Sequence, residues 1–342
     1  MFIVAKSDIS NILPNEFLST HELLLYYNDI IVDLLHKADE FGLSSSKFQI
    51  KSEQSLPTDD EDFIEWMFTH GFETEAYDYL KSHLFFSLLR DFIFYMHESF
   101  DCAERGKVTV AYTISRKPIK DTLYYLCWLL VDDKDLLDNL MLKESKEYDI
   151  SSINFKTKKR LINEAVKITK APYEKDFIFD LIYKRNFKNG LSKVWDQSLH
   201  LVTGSRHYPT EPGNLNFIFA YDDIWDEYWS FYYATMPIIM NFSIEVIIKI
   251  FESIAKPDST TVEANKWIRN FKFLNATNHL TKETDELFRS VLEHLTITCE
   301  KCQKEYQCIG TVADKFINDY LFTCPHCEAQ ERVGEYFMNK NK

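Results

Sequence analysis

Glycine and proline are both scarce, 8 and 9 residues in a chain of 342. With so few turn formers the chain is poorly equipped for the many tight reversals of an all-β fold, and long helices are expected. Long apolar runs are missing too. The longest stretch without a charge, residues 228–244, contains Pro237 and Asn241 and is flanked by acid. It is short for a bilayer span and reads as a buried helix. Residues 1–8 lack the basic region and apolar core of an export signal. There is no phosphate-cradling Gly-rich loop, no HExxH and no Gly-x-Ser-x-Gly, so the sequence gives no sign of P-loop, metalloprotease or α/β-hydrolase chemistry.

What the chain has is apolar mass, much of it aromatic: 45% hydrophobic residues, with 27 Phe and 19 Tyr. That supports a large core, organised as two domains or as one body with a small appendage. The formal charge of −14 implies a solvated acidic surface and disfavours general nucleic-acid binding. The basic residues are nevertheless concentrated. Residues 105–120 hold Arg105, Lys107, Arg116, Lys117 and Lys120 and no acid. Residues 156–193 hold eleven basic residues, among them Lys158, Lys159, Arg160 and Arg185, against four acids. Two readings stand. The basic helices pair with acidic neighbours, or they form a face for phosphate or RNA.

Four cysteines near the end carry the most specific pattern, Cys299-x2-Cys302 and Cys324-x2-Cys327 with twenty-one residues between the pairs. Each CxxC turn aims two sulfurs at one point, and two such turns complete a tetrahedron of thiolates. Short β-prone runs, 296–298 and 321–323, lead into the two turns, and 332–337 is a candidate closing strand. The segment 296–340 resembles a zinc ribbon. That resemblance implies a structural zinc ion held by Cys299, Cys302, Cys324 and Cys327. Taken alone, Cys324-Pro325-His326-Cys327 also resembles a thioredoxin-like redox motif, but a second CxxC and only fifteen following residues favour metal. Four thiolates leave no open coordination position for catalysis. Cys308 and His326 remain as spare donors. Paired thiols without an export signal suggest a reducing, cytoplasmic setting.

Apolar spacing of three and four predicts helices over 20–40, 74–103, 119–142, 156–170, 174–202, 222–255, 260–272 and 281–295. Thr58-x-x-Glu61 reads as a capping box for a short helix that stops at Gly71. Residues 108–114 are helix or strand. The expected fold is therefore mostly α, a helical body over 1–295 with a β zinc ribbon over 296–342. One segment breaks the pattern. Residues 200–214 gather two Gly, two Pro and two His directly after the longer basic island. Such a loop could bind an anion through backbone N–H groups with His200, Arg206 and His207, or be a plain surface excursion. The acidic clusters Asp132-Asp133 and Asp222-Asp223-Ile224-Trp225-Asp226-Glu227 could in principle bind Mg²⁺, but read as helix N-terminal charges or solvated faces.

His83, Arg90 and His97 are spaced seven apart, so they share one line of a helix. Arg90-Asp91 followed by His97 resembles the Arg-x(4–6)-His motif of HEPN-domain ribonucleases. The resemblance implies that Arg90 holds the scissile phosphate and His97 is the acid–base, in a domain that commonly builds its site across a homodimer. The bland alternative is a buried pair bonded to Asp91 or Glu98. The leading expectation is a binding or regulatory protein that engages an anionic partner, RNA or another phosphate-bearing ligand, through residues 105–120 and 156–214. A HEPN-like metal-independent RNase of toxin or host-defence type is the alternative.

Overall fold

Helices occupy the stretches where apolar residues recur every three or four positions. The structure, a computed structural model, describes residues 13–45, 49–50, 62–218, 222–294, 296–299, 301–318, 321–332 and 336. The helices are α1 (Leu18–Glu40), α2 (Phe63–Thr69), α3 (Glu73–Glu104), α4 (Val108–Lys117), α5 (Leu123–Val131), α6 (Asp133–Leu142), α7 (Ser145–Tyr148), α8 (Phe155–Thr169), α9 (Phe177–Tyr183), α10 (Leu191–Leu199), α11 (Asp222–Ala255), α12 (Ser259–Ala276) and α13 (Lys282–Leu292). Beyond them come β1 (Thr296–Thr298), β2 (Glu305–Gln307), α14 (Gly310–Asn318), β3 (Leu321–Thr323) and β4 (Gln330–Arg332). The mostly α fold with a small C-terminal β element is as the composition implied.

Most boundaries have a local cause. α1 stops where Gly42 takes φ +61°, which lets the Leu43 N–H reach back to the Ala38 carbonyl. Thr58 and Glu61 lie outside the described residues; the cap seen on α2 is Asp62, accepting from the Ile64 and Glu65 N–H groups. The single helix expected over 119–142 is divided in two. Asp132 leaves helical geometry and caps α6 by accepting from the Asp135 N–H at 3.1 Å. Ahead of α5, residues Pro118–Thr122 form one π-helical turn, where Pro118 cannot donate to the ladder. Residues 108–114 are helical. The helix expected over 174–202 is two short ones, α9 and α10, separated by a turn at 184–190.

One large core is built mainly from α1, α3, α5 and α11. The uncharged run 228–244 lies in α11, where Tyr232, Met236, Ile239, Met240, Phe242 and Ile244 are buried. Among the described residues no helix is long and apolar enough to cross a membrane. Several aromatic side chains of the core place their hydroxyl or indole groups against acceptors. Tyr112 donates to the Tyr228 carbonyl at 3.0 Å, Trp229 Nε1 to the Ala103 carbonyl at 2.7 Å, and Tyr173 to Asn241 Oδ1 at 2.8 Å.

A second, smaller core joins α12 and α13 to the cysteine-bearing segment. Ile268, Phe271, Phe288 and Leu292 pack with Phe316, Ile317 and Phe322, and the Phe271 and Phe288 rings stack at 3.6 Å. β1 pairs antiparallel with β2, and β3 with β4. The helix α14, set between the two cysteine pairs, was not legible in the sequence. Polar contacts stitch this lobe to the body. Lys272, buried on α12, donates to the Phe316 and Ile317 carbonyls at the end of α14. The buried Tyr336 sends its N–H to Asp33 (2.9 Å) and its O–H to Glu252 (3.0 Å).

Candidate anion cleft and metal centre

The two CxxC turns share one backbone design. In the first, the Cys299 N–H donates to the Lys304 carbonyl and the Gln303 N–H returns to the Cys299 carbonyl. In the second, Cys324 N–H donates to Ala329 and Glu328 N–H to Cys324. Gln303 and Glu328 occupy the same place in each turn, both left-handed at φ 59° and 57°. Each pair of sulfurs is thereby aimed inward, and the four sulfurs of Cys299, Cys302, Cys324 and Cys327 lie within 4.8 Å of one another. Cys299 and Cys327 Sγ are 3.6 Å apart, Cys302 and Cys324 Sγ 3.7 Å. A tetrahedron of thiolates with bonds of about 2.3 Å has edges of about 3.8 Å. The donor set therefore fits one metal ion. Around it, the Tyr306 hydroxyl donates to Cys324 Sγ at 3.3 Å and the His326 N–H donates to the same sulfur at 3.4 Å. Cys308 is not among the four. It is buried in the small core, and burial pushes its thiol up to about 11. His326 is exposed and its ring stands outside the cluster.

A cleft of about 480 Å³ opens between the 184–190 turn, α10 and the polar loop. Arg185, Lys188 and Lys193 line one side, His207, Tyr208 and Thr210 the other. The turn is held by Phe187 N–H to the Lys184 carbonyl and Gly190 N–H to the Phe187 carbonyl. Glycine suits position 190, because a Cβ there would crowd the Phe187 carbonyl oxygen at 3.1 Å and that of Lys184 at 3.2 Å. The loop is built around Asn216. Its amide donates to the His200 carbonyl and the Thr203 hydroxyl, both at 2.7 Å, and accepts from Thr210 at 2.8 Å. Tyr208, buried, pins the loop to α10 by donating to Asp196 at 2.6 Å.

The basic island divides in two once folded. Lys159 pairs with Asp176 at 2.8 Å, Lys167 with Glu164 at 2.7 Å and Lys184 with Asp180 at 2.6 Å. Arg185, Lys188 and Lys193 are exposed and form no ion pair with a described carboxylate. Glu211 is the one acid in the lining. Three cations facing one carboxylate in a concavity attract anions, and the size lies within the usual range for small-ligand sites, about 300–1,000 Å³. A second concavity of about 250 Å³, lined by Asp78, Lys81 and Ser82 among others, lacks this bias, since Lys81 is paired with Asp133 at 2.7 Å.

No protein-family profile, curated protein or solved structure matches the chain.

The other candidates are scattered. Arg206 is beside the cleft, its Nε donating to His207 Nε2 at 3.2 Å. His200 is exposed and contributes its carbonyl to Asn216 rather than its ring to the cleft. Arg160 is exposed outside the lining, and Lys158 is buried beneath the rings of Phe155 and Tyr183. In the first island, Lys117 pairs with Asp91 at 2.7 Å and Arg105 with Asp101 at 3.1 Å. On α3, Arg90 and His83 are exposed while His97 is 8% exposed. Asp91 takes Lys117 and Thr122 as partners rather than Arg90. Burial holds the His97 imidazole below its ordinary 6.5, opposed by Asp101 and Glu98. Arg90 and His97 are thus about 10.5 Å apart along the axis, one in solvent and one covered. Lys188, Lys193 and Gln197 were not singled out from the sequence. The Asn189-Gly190 turn signal, which ends any helix run through 174–202, would have pointed to them.

Proposed function

We propose that this protein is a helical binding protein whose cleft between the 184–190 turn, α10 and the 200–216 loop takes a phosphate-bearing anion. The observation that supports this reading is the set of three cations, Arg185, Lys188 and Lys193, on one concave wall with no ion-pair partner among the described residues. Phosphate recognition needs converging N–H donors carrying positive charge, and a wall with a single opposing carboxylate supplies them. The metal we assign to the four thiolates is zinc, in a structural role. All four positions are filled by protein, so the ion holds the small lobe together rather than exposing a reactive site. Reduced thiolates fit a reducing compartment such as the cytoplasm.

The test is calorimetric titration with inorganic pyrophosphate. Wild-type protein is expected to bind, and Lys188→Ala with Lys193→Ala to weaken binding at least about tenfold, since each charged hydrogen bond is worth about 1.5–3 kcal/mol. Lys159→Ala, which removes a paired lysine outside the cleft, should leave affinity unchanged. Equal binding by all three proteins would refute the cleft assignment.

A further inference from the structure

The polar loop carries an apolar edge that phosphate binding in the cleft does not use. Leu199, Leu201, Val202 and Ile218 are between 41% and 62% exposed. They sit on two segments tied side by side by one hydrogen bond, the Asn216 N–H donating to the Leu201 carbonyl at 2.8 Å. Local packing decides which neighbours turn inward. Thr203 is buried, its N–H held by the Thr210 hydroxyl at 2.7 Å, and Val202 before it stands in solvent. Phe217, left-handed at φ 62°, packs its ring 4.5 Å from that of Tyr228, and Ile218 after it is left outside. Single exposed apolar residues are ordinary on a protein surface. Four on adjoining segments form a contact surface that wants an apolar partner.

This edge borders the cation-lined cleft, since Asn216, the residue bonded to Leu201, is itself part of the cleft lining. Residues 184–218 hold five Lys and Arg against two acids, Asp196 and Glu211, in a chain whose formal charge is −14. Asp196 is moreover engaged by Tyr208. The local charge is opposite to that of the whole chain, so an anionic surface is drawn to this face and repelled by the rest. A free phosphate compound would satisfy the cations and leave the apolar edge in water. An anionic phospholipid bilayer offers both parts of the match, phosphate groups at its surface and hydrocarbon just beneath. Binding at such an interface grows with the apolar area inserted and with the attraction between basic residues and anionic lipid.

We propose that this face docks on an anionic phospholipid surface, the four apolar side chains entering the headgroup–acyl boundary while Arg185, Lys188 and Lys193 hold lipid phosphates. This rests on the cleft being a phosphate site. The experiment is co-sedimentation of the full chain with vesicles of phosphatidylcholine alone, or mixed in equal parts with phosphatidylserine, beside calorimetry with pyrophosphate. Wild-type protein should pellet with the mixed vesicles, less so at high salt, and stay in the supernatant with phosphatidylcholine alone. Leu201→Ser with Val202→Ser should lower the partition at least about tenfold and keep the pyrophosphate affinity. Both side chains stand in solvent, so replacing them leaves the core intact. Lys188→Ala with Lys193→Ala should weaken binding to the mixed vesicles and to pyrophosphate together. Wild-type protein that binds pyrophosphate but pellets with neither kind of vesicle would overturn the docking and leave the cleft reading standing, with the apolar edge then free for a protein partner. Equal pelleting of wild type and the Leu201→Ser, Val202→Ser variant would overturn it too, as would equal pelleting of wild type with both kinds of vesicle. Protein that binds neither vesicles nor pyrophosphate would refute docking and cleft alike.

Discussion

A buried ion pair joins α12, which packs against the cysteine-bearing segment, to α11 of the helical body, and its removal has a calculable cost. Arg269 of α12 and Glu245 of α11 are 3% and 5% exposed, with two parallel bonds of 2.8 and 3.2 Å between guanidinium and carboxylate. Glu245→Gln would keep the shape and leave the arginine charged in a nearly dry site. Breaking one side of such a pair costs about 3–5 kcal/mol, because the surviving charge keeps its desolvation penalty and loses its counter-charge. Replacing both, Glu245→Leu with Arg269→Met, removes penalty and attraction together and should cost no more than about 1 kcal/mol. Urea unfolding of the zinc-loaded protein, followed by tryptophan fluorescence, gives the two differences. A Glu245→Gln penalty below about 1 kcal/mol, or a double variant as unstable as the single, would refute the reasoning. The first result would mean that water reaches the pair, the second that shape rather than charge holds the joint.

Metal analysis of the purified protein should give one zinc per chain, absent in Cys324→Ser. Tyr306→Phe, which removes the O–H donor to Cys324, should still bind zinc but about 10–100-fold more weakly in competition with a chromophoric chelator. His97 is held neutral by burial, so its folded-state pKa lies below the unfolded 6.5. As pH falls through about 6.5 the unfolded chain takes up the proton first, and stability present at pH 7 is lost. His97→Gln should flatten the slope of the melting temperature between pH 7 and 5, and an unchanged slope would contradict the assigned burial. Asn216→Ala removes three side-chain hydrogen bonds from the polar loop, about 1 kcal/mol each at most. Amide exchange over residues 201–216 should then accelerate while α11 is unaffected; uniform exchange would deny Asn216 its organising role.

Long periodic segments were legible because tertiary packing asks of them only what their pattern already offers. α1, α3 and α11 appear within two residues of where apolar spacing places them. α8 was placed equally well, but two expected helices were divided where a local event outweighs periodicity. Asp132 divides 119–142 by capping α6, and the turn closing on Gly190 divides 174–202. The second error mattered, since that turn creates one wall of the cleft. The cysteine cluster was readable because metal-ligand spacing is itself geometric, whereas α14, enclosed between the cysteine pairs, has no comparable signature. Which lysines are paired was beyond sequence altogether. Lys159 and Lys193 belong to one island, and only the fold decides that Asp176 meets the first while the second faces open space. Arg90 and His97 share a helical line, but Arg90 is exposed and His97 is buried, so a common line did not mean a common environment.

The cleft assignment is tested most directly by locating a bound anion. Crystals of the protein soaked in tungstate, a heavy analogue of phosphate, would reveal the anion by its anomalous signal. The account predicts a peak within hydrogen-bonding reach of Arg185, Lys188 and Lys193, lost in the Lys188→Ala, Lys193→Ala variant. Peaks confined to other surfaces, with the cleft empty, would contradict it.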